Sequence, residues 1–145
     1  EKIIVSSYES VTSEKVIDYV HSNGKLAVLV ALKNIGGADI TEVGKDVAMQ
    51  IAAMNPVAVD AASVPADVVG REKEIVIELM KQDPKMAGKP EAMVAKIAEG
   101  KMNAFFKEQT LLAQAFVKDS GKSVGDYLKS AGDVTVTEFK RVALG

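Results

Sequence analysis

The chain contains no cysteine, no tryptophan and a single histidine, His21. Without cysteine there is no disulfide scaffold, thiol nucleophile, cysteine-ligated zinc or iron–sulfur cluster. One histidine rules out a multi-histidine metal site within the chain, and no cofactor is expected. A charge excess is also missing: 18 Lys plus Arg stand against 20 Asp plus Glu, for a formal net charge of −2. A nucleic-acid footprint ordinarily needs a basic excess, so no direct nucleic-acid partner is expected. Long apolar runs are absent too. The longest, Leu26 to Leu32 (LAVLVAL), has a strand's length and falls far short of the roughly 20 residues that span a bilayer. No membrane partner is expected. The start, Glu1-Lys2-Ile3, lacks the basic-then-apolar layout of a signal peptide. It also lacks Met, which reads as a piece of a longer chain. Cysteine-free and leaderless, the chain is expected to be cytoplasmic.

What is present is enough apolar material for a core: 48% of 145 residues, a length that suits one domain. Lys2 to Tyr8 (KIIVSSY) and Val16 to His21 (VIDYVH) read as strands. Asn23-Gly24 is a hairpin signal because both residues accept positive φ, and it joins Val16–Ser22 to Lys25–Lys33. The LAVLVAL run is apolar at every position, which predicts a central strand covered on both faces. After the loop Asn34 to Ala38, Asp39 is expected to cap a helix with Glu42 three residues on. Ile40, Val43, Val47, Ile51 and Met54 form its apolar stripe, and Asn55-Pro56 stops it.

Pro65 is expected to begin a short helix. Beyond it the charge density rises: from Arg71 to Lys101 there are seven basic and six acidic residues. Arg71–Gln82 and Glu91–Lys107 read as helices split by Asp83-Pro84 to Lys89-Pro90. Ile75, Leu79 and Met80 would face Val94, Ile97, Ala98, Met102 and Phe105 across a narrow seam with wet flanks. Such an arm protrudes, because its flanks are too polar to bury. Leu111–Val117 is expected to run extended, and Asp119–Lys122 to turn. Ser123 then caps a helix Val124–Ser130 with Asp126, and Val134–Leu144 is a last strand whose partner is distant in sequence. The expected fold is α+β: a small antiparallel sheet packed with helices, plus a protruding antiparallel helical hairpin of coiled-coil type. Residues 1–70 and 108–145 would form the core and residues 71–107 the inserted arm.

The candidate chemical motifs are thin. Gly121-Lys122-Ser123 resembles the tail of a phosphate-binding loop, but the required glycine five residues earlier is Phe116. A capped turn explains it better. His21 ends a strand with no nucleophile facing it, since Ser22 points to the opposite face. The carboxylates Glu72, Glu74, Asp60, Asp67 and Glu138 sit in polar surroundings. Met80, Met86, Met93 and Met102 cluster on the arm, as seam residues or as adaptable partner contacts. Gln50 lies at the edge of an apolar stripe. Either its amide sits in water at the boundary, or it offers a polar contact to a partner. These residues point to an interaction protein and not to an enzyme.

Five stretches, in order along the chain, resemble the elongation factor Ts family. Ala48-Met49-Gln50-Ile51-Ala52-Ala53-Met54-Asn55-Pro56 resembles its Ala-Met-His-(Ile/Val)-Ala helix followed by Pro. Gly88-Lys89-Pro90 with Lys96 to Met102 (KIAEGKM) is similar to its arm. Gln114-Ala115-Phe116-Val117 is similar to its Gln-Pro-Phe-Val, Lys25 to Val30 to its contact strand, and Phe139-Lys140-Arg141 to its closing strand. The resemblance implies a guanine-nucleotide exchange factor that binds elongation factor Tu and promotes GDP release, by contact and without cofactor. The partner surface would include Lys25, Leu26, Ala27, Asp46 and Gln50. Gln50 stands where the family has a partner-contacting histidine, and Ala27 where it has a glycine. The family's Thr-Asp-Phe loop has no counterpart in Asn34-Ile35-Gly36-Gly37-Ala38-Asp39, and its N-terminal three-helix domain is not represented. The resemblance therefore implies a fragment: the C-terminal part of the core plus the arm. The alternative is a structural or homodimerisation module with no exchange activity of its own.

Overall fold

The computed structural model describes residues 4–5, 8–10, 12–21, 23–35 and 40–144. Three strands form an antiparallel sheet in the order β1 (Lys15–Val20), β2 (Leu26–Lys33), β5 (Thr135–Ala143). The β1–β2 connection is tight: the Gly24 N–H donates to His21 O at 2.8 Å and the His21 N–H to Leu26 O at 2.8 Å. Within Asn23-Gly24 only Gly24 takes positive φ (67°). Asn23 instead accepts the Lys25 N–H on its side-chain oxygen, so the turn is not the doubly left-handed type expected. β5 returns from the far end of the chain to pair with β2, with a register shift between Ala31 and Leu32.

Helix α1 (Thr41–Met54) lies on one face of this sheet. Its residues Val47, Ala48 and Ile51 pack with Ile17, Val28, Val30, Leu32 and Val136 in one buried cluster. Burial of such aliphatic side chains stabilises by roughly 1.5–3 kcal/mol each. The helix ends as its sequence requires, with Asn55 left-handed (φ 44°) and its N–H on Ile51 O. Its start differs from expectation: the N-cap is Ile40 with no side-chain cap, and Asp39 lies outside the described residues. β2 is central, but it is covered fully on one face only. On the other, Ala27 is exposed and Leu29 half-buried, and only Ala31 is sealed. The first expected strand, Lys2–Tyr8, lies partly outside the described residues. Its described members Ile4, Val5 and Tyr8 are exposed and in no strand.

The segment after Pro65 is one continuous helix, α2 (Ala66–Gln82), not a short helix and a separate one. Nothing in Gly70-Arg71 breaks it. A 3-10 turn at Pro84–Met86 leads to α3 (Glu91–Gln109). These helices share a second cluster built on Val76, Met80 and Met102, with Val69, Val94, Ile97, Ala98 and Phe105 against it. The seam on α2 therefore runs along 69, 76 and 80. Ile75 and Leu79, expected in it, are 45% and 59% exposed. One residue of offset along a helix turns a side chain by about 100°, enough to move a stripe from seam to solvent. The chain returns through Ala58, which bridges Thr110 in parallel, and a two-stranded sheet of β3 (Ala115–Phe116) and β4 (Asp119–Ser123) follows. Only β3 of the expected extended run 111–117 is strand, and 119–122 is strand where a turn was expected. The final helix α4 (Val124–Ser130) has the reciprocal Ser123–Asp126 capping box.

Gly44 marks the closest approach of α1 to the sheet. A Cβ there would lie inside contact distance of Ile17 Cγ1 and 3.0 Å from Ile17 Cβ. Gly44→Ala is expected to destabilise by about 1–3 kcal/mol through overpacking, measured by urea denaturation. Combining it with Ile17→Ala should cost less than the sum of the two single changes.

Candidate functional site

The apolar stripe of α1 is accompanied by Asp46 and Gln50, one turn apart and so on one side of the helix. Both are buried, Asp46 at 6% and Gln50 at 0% exposure. The Gln50 amide is therefore not in water, as the boundary reading had it. Its Nε2 donates to Ala115 O at 3.0 Å and to Gln114 Oε1 at 3.2 Å, and its Oε1 accepts the Val117 N–H at 2.8 Å. Ala115 O and Val117 N–H flank Phe116, so one side-chain amide satisfies the strand as a residue of a neighbouring parallel strand would. Gln114 extends the network: its Nε2 donates to Glu108 O at 2.9 Å, and its own carbonyl accepts the Val124 N–H at 3.0 Å.

Asp46 receives two donors. Lys118 Nζ lies 2.5 Å from Oδ1, and the Tyr127 hydroxyl donates to Oδ2 at 2.7 Å. Tyr127 also stacks on Phe116, with ring centroids 4.3 Å apart and planes 18° off parallel. Burial, then the Asp46 carboxylate, push the Tyr127 phenol above its ordinary value. The hydrogen bond to Asp46 raises the Lys118 ammonium likewise. Lys118 is held at its tip and still exposes 48% of its side chain.

The other expected site residues sit elsewhere, at the start of β2. Lys25 and Ala27 are exposed, and Leu26 is half-buried against the sheet cluster. The Lys25 carbonyl accepts the Leu144 N–H at 2.7 Å, and Ala27 lies between Val20 and Val142 in register. The structure thus joins Asp46 and Gln50 in one network and gives Lys25, Leu26 and Ala27 a separate place on the sheet. Gln114, Lys118 and Tyr127 belong to the network and were not anticipated. The usable signal was the run Gln114-Ala115-Phe116-Val117, where a lone amide interrupts apolar residues.

Gly121-Lys122-Ser123 is spent on structure: Lys122 pairs with Asp119 at 3.2 Å and Ser123 caps α4. His21 Nδ1 lies 3.1 Å from the Tyr19 hydroxyl. Among the described residues no group of three or more His, Asp or Glu could hold a metal ion, and no helix is long and apolar enough to cross a membrane. Between α2 and α3 a cleft of about 760 Å³ opens, with Lys73 and Lys81 on one wall and Glu91 and Glu99 on the other.

The family model described as "Elongation factor TS" matches residues 1–145. An elongation factor Ts from Cytophaga hutchinsonii is 51% identical over 145 residues, covering 99% of this chain and 51% of the relative. One from Amoebophilus asiaticus is 48% identical over 146 residues, covering all of this chain and 51% of the relative. One from Azobacteroides pseudotrichonymphae is 44% identical over 145 residues, with the same 51% share of the relative. The chain spans about half the length of the curated relatives it matches.

Gln50→Leu preserves volume but strands Ala115 O and the Val117 N–H away from water. It is expected to cost about 2–4 kcal/mol, read as a lowered urea midpoint. Tyr127→Phe is expected to cost about 1 kcal/mol at neutral pH for the lost hydrogen bond to Asp46. Because the folded phenol is raised above the unfolded value of 10.0, its contribution is complete below pH 10 and lost as pH climbs past it. Denaturation midpoints of the chain and of Tyr127→Phe should therefore stay apart up to about pH 10 and converge only above it.

Proposed function

Because the chain belongs to the elongation factor Ts family, we propose that it is a fragment of a guanine-nucleotide exchange factor that binds elongation factor Tu and promotes GDP release during translation elongation in the cytoplasm. The observation that carries this reading is the family match along the whole chain, with about half of all positions identical to a named relative. The physical demand is modest. An exchange factor needs higher affinity for the nucleotide-free state of its partner than for the GDP state, and that differential affinity shifts the equilibrium. Contact surfaces supply it without a nucleophile, a metal or a bond made, so the chain is read as a non-enzymatic factor.

Lys25, Leu26 and Ala27 are the direct contacts on this reading, being the site residues with accessible side chains. Asp46 and Gln50 act from behind the surface. Gln50 holds the strand at 115–117, and Asp46 steadies Lys118. Val117 is 48% exposed, so the segment they hold presents an apolar side chain and a cation together. Residues 1–70 and 108–145 would act as the docking body, and residues 71–107 as an arm projecting from it.

The cleft between α2 and α3 favours a second reading, homodimerisation. A lysine wall facing a glutamate wall is self-complementary when two copies pack so that α2 of one meets α3 of the other. One experiment separates the readings: release of a fluorescent GDP from elongation factor Tu on adding the chain, with sedimentation of the chain alone. The expected result is a monomer that accelerates release, by less than an intact relative does, given its half length. No acceleration at tens of micromolar overturns the exchange reading, and a dimer in that case selects the second.

A further inference from the structure

Among the described residues, Arg141 Nε is a side-chain nitrogen sealed from solvent with no hydrogen-bond partner. The ion pairs of the described residues run Lys118–Asp46, Lys122–Asp119 and Lys140–Glu9, and Arg141 enters none of them. The β-register locates it. Arg141 stands opposite Val28, which stands opposite Tyr19, and Leu26 lies two residues along β2 on the same face. Val28 is buried at 1% exposure, and Leu26 and Tyr19 pack at the margin of the same cluster. Arg141 as a whole is half-buried, although its Nε is sealed.

This arrangement is costly for folding alone. A guanidinium stays charged in a protein, and enclosing part of it without an acceptor loses hydration and gains no bond. A methionine would cover Val28 equally well at no such cost. Buried donors left open call for a specific reason, and an acceptor arriving from outside supplies one. We propose that Arg141 is a contact residue of the surface around Leu26, donating its planar fork of N–H groups to a carboxylate on the docked protein. The inference rests on the reading that the start of β2 meets elongation factor Tu. A carboxylate fits the fork in two parallel bonds, and the adjacent Leu26 and Tyr19 exclude water from it, as apolar neighbours do around interface arginines. A nucleic-acid phosphate is the poorer match. Arg141 is flanked by apolar side chains on its own face, and the chain carries a net charge of −2.

The test is titration calorimetry of the chain, Arg141→Met and Arg141→Lys against nucleotide-free elongation factor Tu at several salt concentrations, with thermal melts of each variant. Arg141→Met should bind at least tenfold more weakly with a flatter salt dependence, and Arg141→Lys should fall between. The melting temperature of Arg141→Met should stay level or rise, because the uncompensated donor is gone. Unchanged affinity in Arg141→Met overturns the proposal, as does a melting temperature that drops along with binding, which marks a structural arginine. Unchanged affinity with loss of a homodimer would assign Arg141 to a second copy and also overturn it. Failure of the unsubstituted chain to bind at all would instead remove the functional reading, and the inference with it.

Discussion

A side-chain amide buried in an apolar core governs how the parts of this fold meet. Gln50 sits among Val47, Ala48 and Ile51 yet spends both its donor and its acceptor on the backbone at 115–117. An aliphatic residue could fill that volume and would still leave the strand's polar groups unpaired in a place water does not reach, which costs more than a typical hydrogen bond gains. The strand cannot therefore dock on α1 in any other register without stranding several polar groups at once. Apolar packing tolerates sliding; a satisfied amide pair does not.

The same network ties the second half of the chain to the first. Gln114 passes the constraint from Gln50 to the carbonyl of Glu108, within the last turn of α3. Thr110, also buried, donates its hydroxyl to Phe106 O at 2.6 Å, while the Leu111 and Leu112 N–H groups go to Ala58 and Val59. So the chain leaves the sheet cluster at 57–59 and re-enters at 109–112, and each passage supplies the other's backbone partners. Between these passages lies the α2–α3 cluster, with a core of its own around Met80 and Met102. Separate hydrophobic clusters joined at one hydrogen-bonded crossing allow the helices to carry dense surface charge without disturbing the packing of the sheet.

Most elements were legible because their signals are local. Asn55-Pro56 ends α1, Ser123 with Asp126 caps α4, and the alternation in Val134–Phe139 marks the strand at the end of the chain. The failures are equally physical. Pro65 starts a helix, but sequence does not say how far it runs, and with the strong helix formers Arg71 to Glu74 directly after Gly70 it runs on through Gln82. The α2 seam was misplaced by one residue because Ile75, Val76, Ile77, Leu79 and Met80 offer overlapping stripes, and only the facing helix chooses among them. At the site, resemblance singled out Asp46 and Gln50 but could not show that they face inward. That depends on Gln114 and Tyr127, more than sixty positions away, and no local pattern reports a partner at that distance.

Inward-facing polar residues change what the proposed docking surface is made of. If Gln50 reached out to elongation factor Tu, its long side chain would have to be immobilised on binding, at an entropic cost of about 0.5–1.5 kcal/mol. In the folded chain that ordering is already complete: the amide is fixed, and Phe116 is held between α1 and the Tyr127 ring. What remains outside is a short stretch, Val117-Lys118, whose backbone N–H and ammonium are both tethered to α1. A surface held in this way spends little of its binding free energy on its own ordering. On the proposed reading, more of that energy would then be available to discriminate between the GDP-bound and empty states of the partner, which is the quantity that exchange by contact requires. A histidine at position 50 would compete with this arrangement, since a neutral imidazole has its donor and its acceptor on opposite sides of the ring. It could not serve Ala115 O and the Val117 N–H from the same edge, so a histidine at this position, as the resemblance implies for the family, would have to support the proposed surface in a different way.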